Sequence, residues 1–552
     1  MKRVYVNEKW CLGCHLCEYN CAFANSGAEN MVKALKGKEI FPRIRVEGDE
    51  QVTYAISCRH CTDPLCVKSC ISGALSVKDG AVVIDHDKCV GCFTCLLVCP
   101  YGAVTADGDH AVQKCELCAK NAAGSPAWPS FSRRGDIMKN YVIIGNGTAA
   151  VGTVEGIRSV DRSGAITVIS EEKHHVYCRP LISYYLEGKT DLERMKYRPD
   201  GFYEENGCKV IYGKRAVAVD PDKKTVTLDD GSKLCYDELS VCTGSSPFVP
   251  PFEGLDTVDK KSGFMTLDDA LKIEAEVSEN SRVLIVGAGL IGLKCAEGLC
   301  TRVRSIAVCD LADRVLSSIL DEKCAKYMQH VLEDKGVTFY LGDTAVKFDK
   351  NSALMKSGTR VDFDYLILAV GVRPNVSLIK DAGGKVGRAI TVDHRSATSL
   401  DHIYAAGDCT ETEDISSGQV RVMALLPNAY MQGKTAGQNM AGQQSSFDNA
   451  IPMNSIGFFG LHAMTAGSYY DEQNGGQMFE TVTEKGIKRL FTKDGLLTGF
   501  IIIGSNERAG IYTNMIRNRV ALSEVDFEQM KKNPNLFAFG KNFCSKTLGG
   551  VV

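Results

Sequence analysis

Asn140-Tyr-Val-Ile-Ile-Gly145-Asn-Gly147-Thr-Ala-Ala150 is the stretch whose reading decides the fold. A short β-branched run enters a glycine turn, and small residues able to open a helix follow. Gly145 permits the tight turn, Gly147 lets the backbone approach a pyrophosphate, and Ala150 lets the helix lie close to the strand, its N-terminus facing the phosphates. An acid should follow about 20 residues on, to hold a ribose. Glu171 does so, directly after Ala165-Ile-Thr-Val-Ile-Ser170. A glycine turn alone is an ordinary feature. Strand, turn, helix start and acid in register read as a dinucleotide-binding fingerprint.

A second fingerprint lies at Arg282-Val-Leu-Ile-Val-Gly287-Ala-Gly289-Leu-Ile-Gly292, with Ser305-Ile-Ala-Val-Cys-Asp310 ending in the matching acid. Asp310 should bond a ribose 2′-hydroxyl and repel a 2′-phosphate, which favours NADH over NADPH. Arg302, Arg304 and Arg314 are the nearby cations that weigh against it. Thr243-Gly244 and Gly371 each follow an apolar run, where glycine lets backbone cross close to a cofactor. Ile403-Tyr-Ala-Ala-Gly407-Asp408 delivers a carboxylate past another glycine.

Upstream, 14 of the 24 cysteines lie before residue 120. Without an apolar signal core at the N-terminus, such crowding reads as metal ligation rather than disulfides. Cys89-x2-Cys92-x2-Cys95-x3-Cys99-Pro100 is a [4Fe–4S] motif, in which the fourth cysteine ligates the other cluster of a pair. Its partner is Cys58-x2-Cys61-x4-Cys66-x3-Cys70. One cluster is therefore assigned to Cys89, Cys92, Cys95 and Cys70, the other to Cys58, Cys61, Cys66 and Cys99. Structural zinc prefers isolated pairs of CxxC. Cys11, Cys14, Cys17 and Cys21 form a complete outer motif, and Cys115 and Cys118 begin another.

Composition sets the remaining bounds. The 552 residues suffice for three or four domains, 44% hydrophobic and 24% charged content is that of a globular protein, and a net charge of −3 offers no basic field for nucleic acid. No apolar run is long enough for a membrane span. A reducing, anaerobic cytoplasm is the expected setting.

Two family resemblances follow from these motifs. Residues 1–125 resemble the multi-cluster ferredoxin subunits of anaerobic molybdenum and tungsten oxidoreductases and hydrogenases. In that family the first and last motifs share two further clusters, which implies up to four here and requires two more cysteines after Cys118. None follows before Cys178. Each outer site then has three cysteines at most, and a non-cysteine ligand, a three-iron cluster or an empty site all stay open. Residues 140 to about 545 resemble the pyridine-nucleotide-disulfide oxidoreductase superfamily. That resemblance implies FAD at the first fingerprint, with Glu171 on its adenosine ribose and Asp408 on its ribityl chain, and NAD(H) at the second. No redox dithiol follows the first helix. Tyr177-Cys178-Arg179-Pro180-Leu181-Ile182-Ser183-Tyr184 is instead similar to the NADH oxidase, rubredoxin reductase and nitrite reductase branch, which implies Arg179 near the flavin. Tyr184 stands where many members carry a lysine. Cys178 reads as a small buried hydrophobe, and His174 and His175 as turn residues.

The expected architecture is an α+β ferredoxin-like domain (1–125), a linker (126–139), an α/β flavoprotein with an FAD domain (140–254 and 376–445) and an NAD domain (255–375), and a small α+β C-terminal interface domain (446–552). In this family that last domain often pairs subunits, which implies a homo-oligomer as one option. The expected activity is electron transfer between NAD(H), FAD and the clusters, with no catalytic acid–base residue. The paired modules most resemble the electron-transfer subunits of tungsten-dependent aldehyde oxidoreductase complexes, so a molybdenum- or tungsten-type subunit or a ferredoxin is the expected redox partner. A free-standing NADH:ferredoxin or NADH:rubredoxin reductase is the alternative, and a scaffold subunit with a vestigial flavin site is the non-enzymatic one. If only the inner pair loads, anaerobically prepared protein carries about eight irons per chain. Stoichiometric zinc with iron near zero in metal analysis overturns the assignment, and clearly more iron shows that the outer motifs are filled.

Overall fold

Two parallel sheets built on one plan form the middle of the computed structural model, which describes residues 14–26, 42–48, 53–107, 111–117, 139–484, 486–505 and 508–539. Cys11, Cys118 and the linker apart from Lys139 lie outside the described residues.

The first sheet has the order Ile403–Ala405, Glu238–Val241, Asn140–Ile144, Ala165–Ser170, Cys208–Tyr212, all parallel. Alternate residues along its strands face two layers. Tyr141, Ile143, Ile166 and Val168 face the helix Thr148–Arg158, while Val142, Ile144 and Leu239 face an antiparallel meander carrying Ala216, Val219, Val226 and Leu228. Both faces are covered, which is why these strands are apolar throughout. The second sheet repeats the plan with Lys261–Ser262, Tyr365–Leu368, Arg282–Val286, Ser305–Asp310 and Val337–Leu341. Helices Leu267–Glu276, Leu290–Leu299 and Glu322–Asp334 cover one face, and the meander from Ala345 to Asp362 covers the other.

Helix Thr148–Arg158 crosses helix Leu426–Met440 with backbone against backbone. A Cβ on Gly152 or Gly156 would lie 2.4 Å from the carbonyl oxygen of Tyr430 or Lys434, and one on Gly433 or Gly437 would lie 2.0 or 2.2 Å from that of Ala149 or Thr153. The spacing of four in both helices puts each glycine pair on one face. This crossing draws the start of Leu426–Met440 up beside the first glycine turn.

The C-terminal unit is an antiparallel sheet in the order Met453–Phe458, Leu461–Gly467, Leu496–Ile503, Gly486–Lys493, Gln477–Thr483, followed by helix Ala509–Arg517. The described cysteine-rich unit contains helix Leu16–Asn25, hairpins Ile44–Gly48/Thr53–Ser57, Leu75–Lys78/Ala81–Ile84 and Thr105–Asp107/Ala111–Gln113, and short helices Leu65–Lys68 and Thr94–Val98. It has no apolar core of its own among the described residues. Phe93, Leu96, Leu97 and Val98 join Met464, Phe500, Ile511, Tyr512 and Met515 in one core shared with the C-terminal unit.

Gly510 lies at that union. A Cβ there would lie 2.1 Å from the carbonyl oxygen of Cys99 and 2.7 Å from that of Leu96. Gly510→Ala should therefore cost about 1–3 kcal/mol, the usual penalty for overpacking. Denaturant unfolding measures it, and iron should be lost earlier in the same titration.

Candidate functional site

The first glycine turn has the geometry of a phosphate cradle. Gly145 has φ +107°, and a Cβ there would meet the Cys242 carbonyl oxygen at 2.2 Å, so only glycine fits. A Cβ on Gly147 would meet no described heavy atom within 4 Å; it faces open space at the start of helix Thr148–Arg158. Gly407 is wedged between the first turns of two helices: a Cβ there would lie 3.0 Å from Ala149 Cβ and 3.5 Å from Ala429 Cβ. Two helix N-termini thus converge beside Gly147 and Asp408, an arrangement suited to an anionic pyrophosphate. Ala150 is buried in the first turn of helix Thr148–Arg158, and Glu171 is exposed just past the strand end. Burial holds the Asp408 carboxyl above its usual range, while Arg179 and the Ser245 hydroxyl oppose that shift.

Thr243, Gly244 and Gly371 meet at the crossing between the two sheets. Ser245–Pro247 pairs with Val372–Pro374. Asn375 Nδ2 donates to Thr243 O at 2.8 Å, the Thr243 hydroxyl donates to Asn375 O at 3.1 Å, and Phe248 N donates to Gly371 O at 3.0 Å. The second glycine turn copies the first: Gly287 has φ +117°, and a Cβ there would lie 2.2 Å from Ala369 O. Gly289 faces open space among the described residues, and Gly292 packs on Gly287 O. Asp310 accepts from Ala288 N at 2.6 Å and Ala312 N at 2.8 Å, so its carboxylate braces this turn at its mouth.

Arg179 ties the two sheets together. It pairs with Glu172 and donates to the Met265 carbonyl at 3.2 Å. The Tyr177 hydroxyl donates to Glu172 Oε2 at 2.7 Å and accepts from Leu267 N at 2.8 Å. Cys178 is fully buried in the flavoprotein core. Tyr184 lies beneath Lys294, whose ammonium is 4.5 Å from the ring centroid. Lys294 pairs with Glu297 of the same helix, and Glu297 accepts from Phe459 N at 2.9 Å. The cation near the 184 position therefore comes from the second sheet's helix.

The inner cysteines of the two motifs act on one another electrostatically. Burial first, then the charges of Cys99, Cys58 and Cys61, raise the Cys66 thiol far above its ordinary value. Burial and then Cys70 and Cys89 push Cys92 up to about 12, and Cys95 responds most among its neighbours to Cys92 and Cys70. Cys99 senses Cys58 and Cys61, and Cys95 senses Cys66 as well, so the two motifs lie close together. Among the described residues no three ligating side chains converge on a single-ion site. Buried thiolates this close repel one another and are poorly solvated, and a positive iron core offsets both terms. The residues present therefore fit a pair of iron–sulfur clusters. Of the outer cysteines, Cys115 is raised by burial and senses Cys58 and Cys21. Cys21 Sγ accepts from Arg43 N at 3.3 Å, while Cys14 is exposed and Cys17 half-buried.

Sequence reasoning missed Glu172, the Lys294–Glu297 pair, and the contacts that dock the cysteine-rich unit. The two glycine pairs at a spacing of four were visible signals for the helix crossing. Gly510 carries no local signal. Among the described residues no helix is long and apolar enough to cross a membrane.

Comparison with known proteins agrees with this geometry. Residues 139–433 match the family model for pyridine nucleotide-disulphide oxidoreductases, and residues 51–133 match the model for 4Fe-4S dicluster domains. The NADH-dependent phenylglyoxylate dehydrogenase subunit epsilon of Aromatoleum evansii is 32% identical, over 74% of this chain and 97% of that protein. An NADH oxidase of Methanocaldococcus jannaschii is 32% identical, over 70% of this chain and 92% of its own. Among solved structures, a NAD-dependent persulfide reductase from A. fulgidus superposes with TM-score 0.65 at 26% identity, over 70% of this chain and 78% of that one. The chain belongs to the pyridine nucleotide-disulphide oxidoreductases, with a 4Fe–4S dicluster domain ahead of the flavoprotein, and it is an electron-transfer oxidoreductase working between NAD(H), FAD and [4Fe–4S] clusters.

Proposed function

We propose that this chain is the NAD-coupled subunit of a cytoplasmic oxidoreductase complex, in which a partner oxidises an aldehyde or a related carbonyl substrate and this chain carries the electrons to NAD+. The fixed docking of the cysteine-rich unit supports the reading, because a relay needs its centres held at constant separation. Ser455 Oγ donates to the Cys92 carbonyl at 2.7 Å, and Tyr197 OH donates to the Lys68 carbonyl at 2.8 Å. The phenylglyoxylate dehydrogenase relative, named as a subunit, supports a multi-protein setting. The relatives named as an NADH oxidase and an NADH-rubredoxin oxidoreductase favour the alternative, a free-standing reductase with a diffusing acceptor such as a ferredoxin or rubredoxin.

Bound FAD supplies hydride exchange with nicotinamide and one-electron exchange with the clusters. The chain's own residues set the stage. Gly145, Gly147, Ala150 and Glu171 would hold the adenosine diphosphate half, and Asp408, Thr243 and Gly244 would hold the chain beyond it. Gly287, Gly289, Gly292 and Asp310 would hold NADH, with Gly371 at the crossing. The Arg179–Glu172–Tyr177 clamp keeps the two binding units in register. Lys294 over Tyr184 sets a positive charge beside that loop.

Asp310 carries the nucleotide preference. NADH should reduce the flavin far better than NADPH, and Asp310→Ala should lower NADH efficiency by about tenfold to a hundredfold, the worth of a charged hydrogen bond. Stopped-flow bleaching with both nucleotides measures it; equal rates in the unmodified protein contradict the preference. Cys92→Ala tests the route. It should leave NADH bleaching of the flavin near normal while transfer to a protein acceptor collapses. Unchanged acceptor turnover with the cluster lost makes the cysteine-rich unit a docking module only.

A further inference from the structure

The two inner quartets are not equivalent in their surroundings. Val90 and Cys92 pack against the flavoprotein core that holds Cys178, Leu181, Ile182 and Leu186, the loop and helix following the Arg179 clamp. Ile71, next to Cys70, belongs to that same core. The Cys92 carbonyl is anchored on Ser455, two residues before Gly457, whose carbonyl accepts from Lys294 at 3.3 Å.

The other quartet meets the flavoprotein at a different place: Asp63, between Cys61 and Cys66, pairs with Lys434 of helix Leu426–Met440 at 2.8 Å, and the remaining contacts lead outward. Cys58 Sγ accepts from His60 N at 3.5 Å, and His60 Nδ1 accepts from Val82 N at 3.0 Å. Lys114 Nζ donates to Val82 O at 2.5 Å and to Cys115 O at 2.7 Å. Glu116 then bonds Arg43 at 2.7 Å, and Arg43 N reaches Cys21 Sγ. An unbroken set of contacts thus runs from Cys58 out to Cys115 and Cys21. Cys99 packs on helix Ala509–Arg517 of the C-terminal unit rather than on the Cys178–Tyr184 loop.

We propose that the cluster held by Cys70, Cys89, Cys92 and Cys95 is the one that exchanges electrons with the flavin, and that the cluster held by Cys58, Cys61, Cys66 and Cys99 lies beyond it, towards Cys115 and Cys21. Electron transfer weakens steeply with distance, so the quartet against the flavin-side loop is the kinetic entry. The order rests on the relay reading above. In balance, NADH gives NAD+, one proton and two electrons, and each oxidised cluster, [4Fe–4S]2+, takes one electron to become [4Fe–4S]+. Run in reverse, the same order delivers a partner's electrons to NAD+.

Serine substitutions test the order, because a serine oxygen can keep an iron in place while shifting that cluster's potential and EPR signal. Anaerobic freeze-quench EPR after mixing with NADH reads each cluster separately. Cys92→Ser should slow the reduction of both clusters by about tenfold or more, as expected when a ligand change lowers the potential of the entry point. Cys61→Ser should slow only its own cluster. The reverse pattern, with Cys61→Ser slowing both and Cys92→Ser slowing one, overturns the order. If a serine variant loses its cluster, the remaining quartet still reads out: the Cys70 set is reduced by NADH at the unmodified rate without the Cys58 set, and the Cys58 set is not reduced without the Cys70 set. Reduction of the Cys58 set at the unmodified rate in that case also overturns the proposal. In the unmodified protein, a flavin that bleaches while neither cluster is reduced removes the relay reading, and the order with it.

Discussion

The contact between the Cys99 carbonyl and Gly510 governs the rest of the molecule. It brings a strongly polar, cysteine-lined unit within van der Waals reach of the C-terminal helix, and the absent side chain is what allows the approach. Around that point the two units share one apolar core instead of meeting across a wet boundary. Interfaces between domains of one chain usually allow relative motion. A shared core does not, and the separation between the cysteine quartets and the flavin-side loop becomes a fixed property of the fold.

The second constraint is electrostatic. Of the eight thiols in the two inner motifs, Cys58, Cys70, Cys95 and Cys99 are buried and the others half-buried; as thiolates they are unfavourable through burial and mutual repulsion, and the shifts in Cys66, Cys92, Cys95 and Cys99 express both. Positive iron reverses that balance. The flavoprotein solves the opposite problem. It gathers backbone N–H groups at two helix starts, and the glycine pairs of the crossing helices bring those starts together. One chain thus holds a cation-demanding unit and an anion-demanding unit on either side of a common core.

Much of this was legible in the residues. The two glycine turns declared themselves because a positive φ and a close backbone approach leave no residue but glycine, and the apolar strands before them run without interruption because both faces are covered. The two inner cysteine motifs were legible in their spacing, and the match to a 4Fe-4S dicluster domain over residues 51–133 agrees with them. Asp310 was placed correctly at its strand end, but its bracing of Ala288 and Ala312 was not foreseeable, since it depends on turn geometry. Glu172 was overlooked because its neighbour Glu171 satisfied the expected spacing. The docking surface was hidden for a different reason: Ser455 and Gly510 act on residues some four hundred positions away, and no local pattern encodes such a meeting.

That separation bears on how the molecule is made. Chains emerge from the ribosome at about 5–20 residues per second, so the quartet-bearing segment waits roughly 20–80 s for helix Ala509–Arg517. Until then Phe93, Leu96, Leu97 and Val98 lack the apolar partner they have in the finished core. During biosynthesis the cysteine loops are therefore open on the side that later closes, and iron and sulfide delivered in that interval reach them from a face the mature protein covers.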